Sequence, residues 1–393
     1  MEVSKKVSRR ISKLPPYLFA ALEAKTEEMR KQGKDTISFG IGDPDLPTPE
    51  HVVNACIEAA KKPENYRYPS WSGKQEFREA AAAWFKKMHG VELSAEKEVL
   101  TLIGSKEGIY HMPFAFVDKG DFVLCPDPAY PVYSISTGFA GGIPYVMPLK
   151  EENNFLPDFD EIPKKAAKKA KLLWLNYPNN PTAAIAEKEF YEKAVDFAKE
   201  NNIILCSDEA YSAIAYDDYK PLSLLEIDGA KERSIVFCSL SKTYNMTGWR
   251  VGFACGNAEI VGALGKIKSN ADSGVANIMQ DAATAALKGS DACIGKNIGI
   301  YKERRDVLVK GLEKLGFKVN KPRATFYLWL KINEKREKGS SMEFAEKLLK
   351  EGVVVTPGIG FGKYGEGYAR FALTQPKERI KEAIERMGKA LGA

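Results

Sequence analysis

Through the middle of this chain, short apolar runs of strand length alternate with amphipathic helical stretches, and that alternation restricts the fold more than any single residue does. Val99–Ile103, Phe122–Cys125, Leu172–Leu175, Ile203–Cys206, Ile235–Cys238 and Val251–Cys255 read as buried strands, since apolar runs this short, closed by turn signals, are strand-like. Between several of them lie stretches such as Glu187–Glu200, with apolar residues at helical spacing. Strands joined by crossover helices must run parallel, with helices covering both faces. The expected fold is therefore α/β: a mainly parallel sheet flanked by helices. After about residue 285 the pattern changes. A long helix over Asp291–Leu315 leads into strands at Thr325–Leu330, Val353–Thr356 and Ala369–Leu373, with amphipathic helices at Met342–Glu351 and Lys377–Leu391. This reads as a smaller α+β domain. The expected division is a large domain over residues 46–285, with 1–45 and 286–393 forming the small domain and its N-terminal arm.

Composition matters here mainly for what it excludes. The 393 residues, 44% hydrophobic and 28% charged, are those of a globular chain long enough for two domains. A net charge of +6 is small, and Lys164, Lys165, Lys168 and Lys169 read as the solvated face of a helix, so no nucleic-acid partner is expected. The six cysteines form no C-x-x-C pair and point to free thiols in a reducing compartment. His51, His89 and His111 have no metal-ligand spacing, and no metal is expected. No apolar run approaches the roughly 20 residues that cross a bilayer. The basic N-terminus lacks the apolar core of a signal peptide, and the expected location is the cytoplasm.

The chemistry concentrates where strands end. Ser239-Leu240-Ser241-Lys242 through Arg250-Val251-Gly252 follows a strand, at the edge where open α/β sheets bind ligands. A Lys flanked by hydroxyls, with an Arg eight positions on, suits a phosphorylated aldehyde: the amine forms an imine, and hydroxyls and Arg hold the phosphate. Asp208, in Asp208-Glu209-Ala210-Tyr211, ends the strand before it and can pair with a pyridinium nitrogen. Asn176-Tyr177-Pro178-Asn179-Asn180-Pro181-Thr182 ends another strand, and Asn180 or Tyr211 could hydrogen-bond a ring hydroxyl. Gly104-Ser105-Lys106-Glu107-Gly108 opens a helix, whose first N–H groups suit the same phosphate. Alone, each is an ordinary cap or turn; in this order each matches a different part of one cofactor, pyridoxal 5'-phosphate.

With these motifs the chain resembles the fold-type I pyridoxal-phosphate aminotransferases of classes I and II over essentially its whole length. The resemblance implies that Lys242 carries the cofactor as a Schiff base and shuttles the proton. It implies Asp208 on the pyridine nitrogen, Asn180 and Tyr211 on the ring hydroxyl, and Tyr130 of Pro126–Pro131 stacked on the ring. Ser105, Lys106, Ser239, Ser241 and Arg250 resemble the phosphate cup, and Tyr68 resembles the tyrosine that reaches the neighbouring subunit's phosphate. Arg370 is similar to the arginine that grips the substrate α-carboxylate, a bidentate task that Lys would not fill. Gly42 matches the small residue beside that carboxylate, and Tyr17 resembles a further active-site tyrosine. The family's usual Gly after Asn-Pro-Thr is Ala183 here.

The implied partners are small amino acids and 2-oxo acids, and the implied assembly is a homodimer with shared sites. Within the family, Ile103–Ile109, Pro126–Tyr133, Asn176–Thr182, Ser239–Gly252 and Lys268–Gly274 are most similar to the subgroup acting on LL-diaminopimelate in lysine biosynthesis. Aspartate- or alanine-type activity is the alternative, since Tyr68–Gly73 contains no carboxylate to read a distal amine, although Lys268–Asn277 equally contains no Arg to read the distal carboxylate of aspartate. A cofactor-dependent β-lyase could use the same lysine, aspartate and arginine, and a non-catalytic effector-binding relative is the remaining class.

Overall fold

The computed structural model describes residues 6–12, 14, 18–332 and 339–392. Among them the strands are β1 (Ile37–Ser38), β2 (Val99–Leu102), β3 (Phe122–Asp127), β4 (Ile143–Pro148), β5 (Ala170–Leu175), β6 (Ile204–Asp208), β7 (Ser234–Ser239), β8 (Gly252–Gly256), β9 (Tyr327–Lys331), β10 (Val353–Val354), β11 (Thr356–Pro357) and β12 (Tyr368–Ala372). Seven of them form one sheet in the order β2-β8-β7-β6-β5-β3-β4. The pairs from β7 through β6, β5 and β3 to β4 are parallel, while β8 runs antiparallel to both β7 and β2.

The central strands are apolar in every register because both faces are covered. Alternate residues belong to different cores: Leu173, Leu205, Val236 and Phe253 pack with Trp84, Phe85 and Tyr191. Leu172, Trp174, Cys206 and Phe237 pack with Ile109, Met112 and Tyr133 on the other side. A third core joins Phe326, Leu328, Phe344, Leu348, Phe371, Ile380 and Met387 to Ile37 and Phe39. Over it lie the antiparallel sheet β11-β12-β9 and the parallel pair β1-β10, and Lys25 pairs with Glu346 at 2.9 Å. The N-terminal segment is thus tied to the last third of the chain by a strand pairing and an ion pair.

Two features differ from the sequence expectation. β4 is an extra edge strand; Ile143 and Val146 are exposed and Pro144 and Pro148 lie within it, so it carries no buried apolar run. The expected strand Val353–Thr356 is two short strands, β10 pairing with β1 and β11 with β12.

Topology determines where the chemistry gathers. β3, β5, β6 and β7 all end on one edge of the large sheet. β2 ends there too, because two antiparallel steps through β8 restore its direction: Gly252 faces Leu102 on one side and Ser239 on the other. The segments after β2, β3, β5, β6 and β7, and Arg250 just before β8, therefore converge on this edge.

Candidate active site

A cavity of about 340 Å3 opens at that edge, within the size range of small-molecule sites. Its wall includes Gly42, Ser105, Lys106, Tyr130, Asn180, Asp208, Tyr211, Ser239, Ser241, Lys242, Arg250 and Arg370. Two of the residues singled out in the sequence are not among them. Tyr68 lies outside the cavity with 89% of its surface exposed, and Tyr17 lies outside the described residues.

Lys242 sits on the short helix Leu240–Thr243 that leaves β7, capped by the Ser239 hydroxyl accepting from the Ser241 N–H. Its amine donates to the Gly42 carbonyl at 2.8 Å and lies 5.6 Å above the Phe326 ring. Burial pushes its pKa down to about 8, with Asp43 opposing and the Arg370 and Arg250 charges adding to the fall. A substantial neutral fraction, the nucleophilic form, is therefore present near neutrality.

Asp208 ends β6. Its carboxylate accepts from the Tyr133 hydroxyl at 2.8 Å and the Ala210 N–H at 3.3 Å. Burial lifts its pKa to about 6 against the pull of those two bonds, both from neutral donors. The Asn176 side chain ties the ends of β5 and β6 together by donating to the Asp208 carbonyl at 2.7 Å.

The third group is a cradle of cations and N–H donors. Gly104 caps the helix Ser105–Phe116 with φ +70°, and a Cβ there would lie 2.4 Å from Arg250 Nη2. Glycine is what lets the guanidinium close over the helix start. Arg250 itself adopts φ +56° and donates to the Thr247 carbonyl at 2.7 Å. Burial, and then the Arg250 charge, push the Lys106 amine down. Two cations facing a helix N-terminus, one of them with its charged form already disfavoured, ask for an anion of more than one charge.

On the opposite wall the Arg370 guanidinium, from β12, packs on two rings, 4.2 Å from the Tyr327 centroid and 4.7 Å from that of Phe361. It donates to Asn180 Oδ1 at 2.8 Å and to the Gly40 carbonyl at 2.7 Å. Tyr211 meets the Tyr327 hydroxyl at 3.0 Å, and burial, with Tyr327 next, raises its pKa far enough to keep it a neutral phenol.

Ile41, Asp43, Asn176, Ala210, Thr247 and Tyr327 also line the cavity, and Tyr133 supports Asp208 from behind. Asp43, Asn176 and Tyr133 lie inside segments already prominent as motifs; Tyr327 carried no signal beyond its place in a strand.

No side chain here supplies an electron sink, yet the site has an amine placed to form an imine, an anion cradle, and a desolvated carboxylate wanting a cation. Pyridoxal phosphate fits these demands with its aldehyde, its phosphate and its protonated ring nitrogen. The class is that of the pyridoxal-phosphate-dependent aminotransferases. More narrowly, the chain belongs to the aminotransferase class I and II family, whose model matches residues 34–387.

An LL-diaminopimelate aminotransferase of Aquifex aeolicus is 55% identical over 97% of this chain and 98% of its own length. One from Moorella thermoacetica is 51% identical over 98% of both chains. Among solved structures, substrate-bound BacF from Bacillus subtilis superposes with a TM-score of 0.93 at 40% identity, covering 98% of this chain and 97% of its own.

Proposed function

We propose that this aminotransferase acts on LL-diaminopimelate, passing its amino group to 2-oxoglutarate and yielding glutamate and an oxo product that cyclises to tetrahydrodipicolinate. In the biosynthetic direction glutamate is the donor and the product feeds lysine synthesis. The observation that carries the donor assignment is the near-full-length likeness to the Aquifex aeolicus enzyme.

When bound, pyridoxal phosphate supplies the carbonyl carbon that exchanges the amino group and the ring that accepts electrons. Every other task falls to the chain. Arg370, packed on Tyr327 and Phe361, receives the α-carboxylate, and Gly42 leaves room beside it. Lys242, once its amine is released, moves the proton at the substrate α-carbon; a pKa of about 8 lets it both take and return that proton. Asp208 keeps the ring nitrogen protonated. Asn180 and Tyr211 would hold the ring oxygen, and Tyr130 would pack against the ring. Ser105, Lys106, Ser239, Ser241 and Arg250 hold the phosphate.

The working unit in this reading is a homodimer in which the exposed Tyr68 serves the partner's phosphate. The division into residues 46–285 and 1–45 with 286–393 belongs to the same reading, supported by two cores drawn mainly from either side of it, around Phe85 and around Phe371, although Tyr211, Ile214 and Tyr216 join the second and Ile294 the first. So does a cytoplasmic location, supported by six cysteines that are all free thiols, four of them buried. No described helix is long and apolar enough to cross a membrane.

The test is a single half-reaction followed by cofactor absorbance. Rapid conversion by LL-diaminopimelate and glutamate, with aspartate and alanine slow, supports the assignment. Conversion chiefly by aspartate or alanine refutes the donor and keeps the aminotransferase. Pyruvate and ammonia released from cystathionine without an oxo-acid acceptor would point to the lyase instead.

A further inference from the structure

We propose that Tyr327 is a positioning residue whose hydroxyl donates to Tyr211 and thereby directs the Tyr211 proton toward the cofactor ring. The inference rests on the aminotransferase reading above and adds to it a residue that the sequence motifs did not mark.

Tyr327 is firmly placed. It opens β9 directly after Thr325 and Phe326, and Thr325 adopts φ +64°, a conformation that β-branched residues rarely take. That turn is over-determined. The Thr325 N–H donates to the Ile214 carbonyl at 2.9 Å, its carbonyl accepts from the Tyr216 hydroxyl at 2.7 Å, and its own hydroxyl oxygen accepts from the Tyr327 N–H at 3.0 Å. The result is a tyrosine only 2% exposed whose side chain nevertheless lines the cavity.

Its contacts join the two walls of the site. The ring lies against the Arg370 guanidinium, and the hydroxyl is 3.0 Å from the Tyr211 hydroxyl. The same oxygen presses on Gly42: a Cβ there would lie 1.9 Å from it. Gly42 in turn holds the Lys242 amine through its carbonyl at 2.8 Å.

A phenol has one proton to give. If Tyr211 is to donate to a ring oxygen, that proton must point into the cavity, and the Tyr211–Tyr327 contact must then be donated by Tyr327. Accepting this bond also makes Tyr211 a stronger donor, because hydrogen bonds in series polarise one another. The charged groups that bear on the pair and on Lys242 are Asp208 and Arg370 around Tyr211, and Asp43, Arg370 and Arg250 around Lys242. Tyr327→Phe leaves all of them in place and keeps the ring on Arg370.

The experiment titrates the cofactor absorbance of the holoenzyme with pH in wild type, Tyr327→Phe, Tyr211→Phe and the double variant. A weaker Tyr211 donor stabilises the ring oxygen anion less, so the imine on Lys242 holds its proton to higher pH. Tyr327→Phe should raise the midpoint by about half a pH unit, while KM for the amino donor stays within about twofold because Arg370 is still stacked. In the Tyr211→Phe background the same change should shift nothing. An equal shift in both backgrounds, or no shift in the wild-type background, overturns the proposal. A wild-type protein whose cofactor band does not titrate with pH, or a Lys242→Ala variant whose band keeps the same titration, overturns the reading of the site itself and this inference with it.

Discussion

Asp208→Asn should make the cofactor-free protein more stable at neutral pH while disabling the enzyme. The carboxylate is buried, and burial lifts its pKa from 3.8 to about 6. The sign follows from proton counting. Between those two values the folded state holds a proton that the unfolded chain has released, so stability falls as pH rises through that window. The penalty is absent below about pH 4 and complete above about pH 6. A shift of about two units, at about 1.4 kcal/mol per unit, is worth about 3 kcal/mol. Asparagine removes that penalty and keeps an acceptor for the Tyr133 hydroxyl. It loses the bond from the Ala210 N–H, at a cost of about 1 kcal/mol. The net gain near pH 7.5 is about 2 kcal/mol, about 2 °C in Tm for a chain of this length. At pH 4 the variant should be no more stable than wild type. Scanning calorimetry of the two apoproteins at pH 4, 6 and 7.5 measures the gap directly. With cofactor bound the order reverses in function: a neutral amide cannot hold a proton on the ring nitrogen, and the half-reaction should slow roughly 100-fold or more. A stability gap that does not grow with pH, or a wild-type apoprotein that is the more stable at pH 7.5, would refute the reasoning.

Lys242→Ala should abolish transamination while leaving the phosphate cradle intact, so that the variant still binds the cofactor non-covalently; an undiminished rate sinks the mechanism. Gly42→Ala places a methyl 1.9 Å from the Tyr327 hydroxyl, and the displacement should lower kcat/KM by about tenfold or more and move the cofactor's titration midpoint in the same direction as Tyr327→Phe; wild-type kinetics would show that the site tolerates the methyl. Lys268 is fully buried and pairs with Glu107 and Asp272, each at 2.9 Å. Lys268→Met strands both carboxylates and should cost about 3–5 kcal/mol in urea unfolding; a loss under 1 kcal/mol would show that they relax to solvent.

What could be read from the chain and what could not divides along a physical line. β5, β6 and β7 are apolar on both faces, so short unbroken runs announce them; β4 has one open edge and prolines in its length, so nothing does. Strand ends are also sequential information. Once the strands alternate with helices, Asp208, Lys242 and Asn180 must fall on one edge whatever the details of packing. Side-chain partnerships across the fold are different. Tyr133 meets Asp208 across 75 positions, Arg370 meets Asn180 across 190, and Lys268 meets Glu107 across 161. None of these distances leaves a periodicity or a spacing to read. Tyr327 leaves no mark in the sequence for the same reason, since a tyrosine opening a strand is ordinary apart from where its hydroxyl lies, 3.0 Å from that of Tyr211. Ala183 was legible as the place where a Gly is usual, and the structure supplies the reason: its φ is +57°, the left-handed region that favours glycine.

In Asp208, Lys242 and Lys106 alike, burial is the largest cause of the pKa shift, and in each it disfavours the charged form. A structural core would not hold three such groups within one cavity, because each costs stability and none pairs with another through a direct ion pair. Their arrangement becomes favourable only with a ligand that brings a cation to Asp208, a multivalent anion to Lys106 and Arg250, and a carbonyl carbon to Lys242. Binding such a ligand must then stabilise the folded state by mass action and by relief of these shifts together. The same burial that weakens the empty site gives the loaded one its strength, since charges brought together in a desolvated cavity interact more strongly than in water.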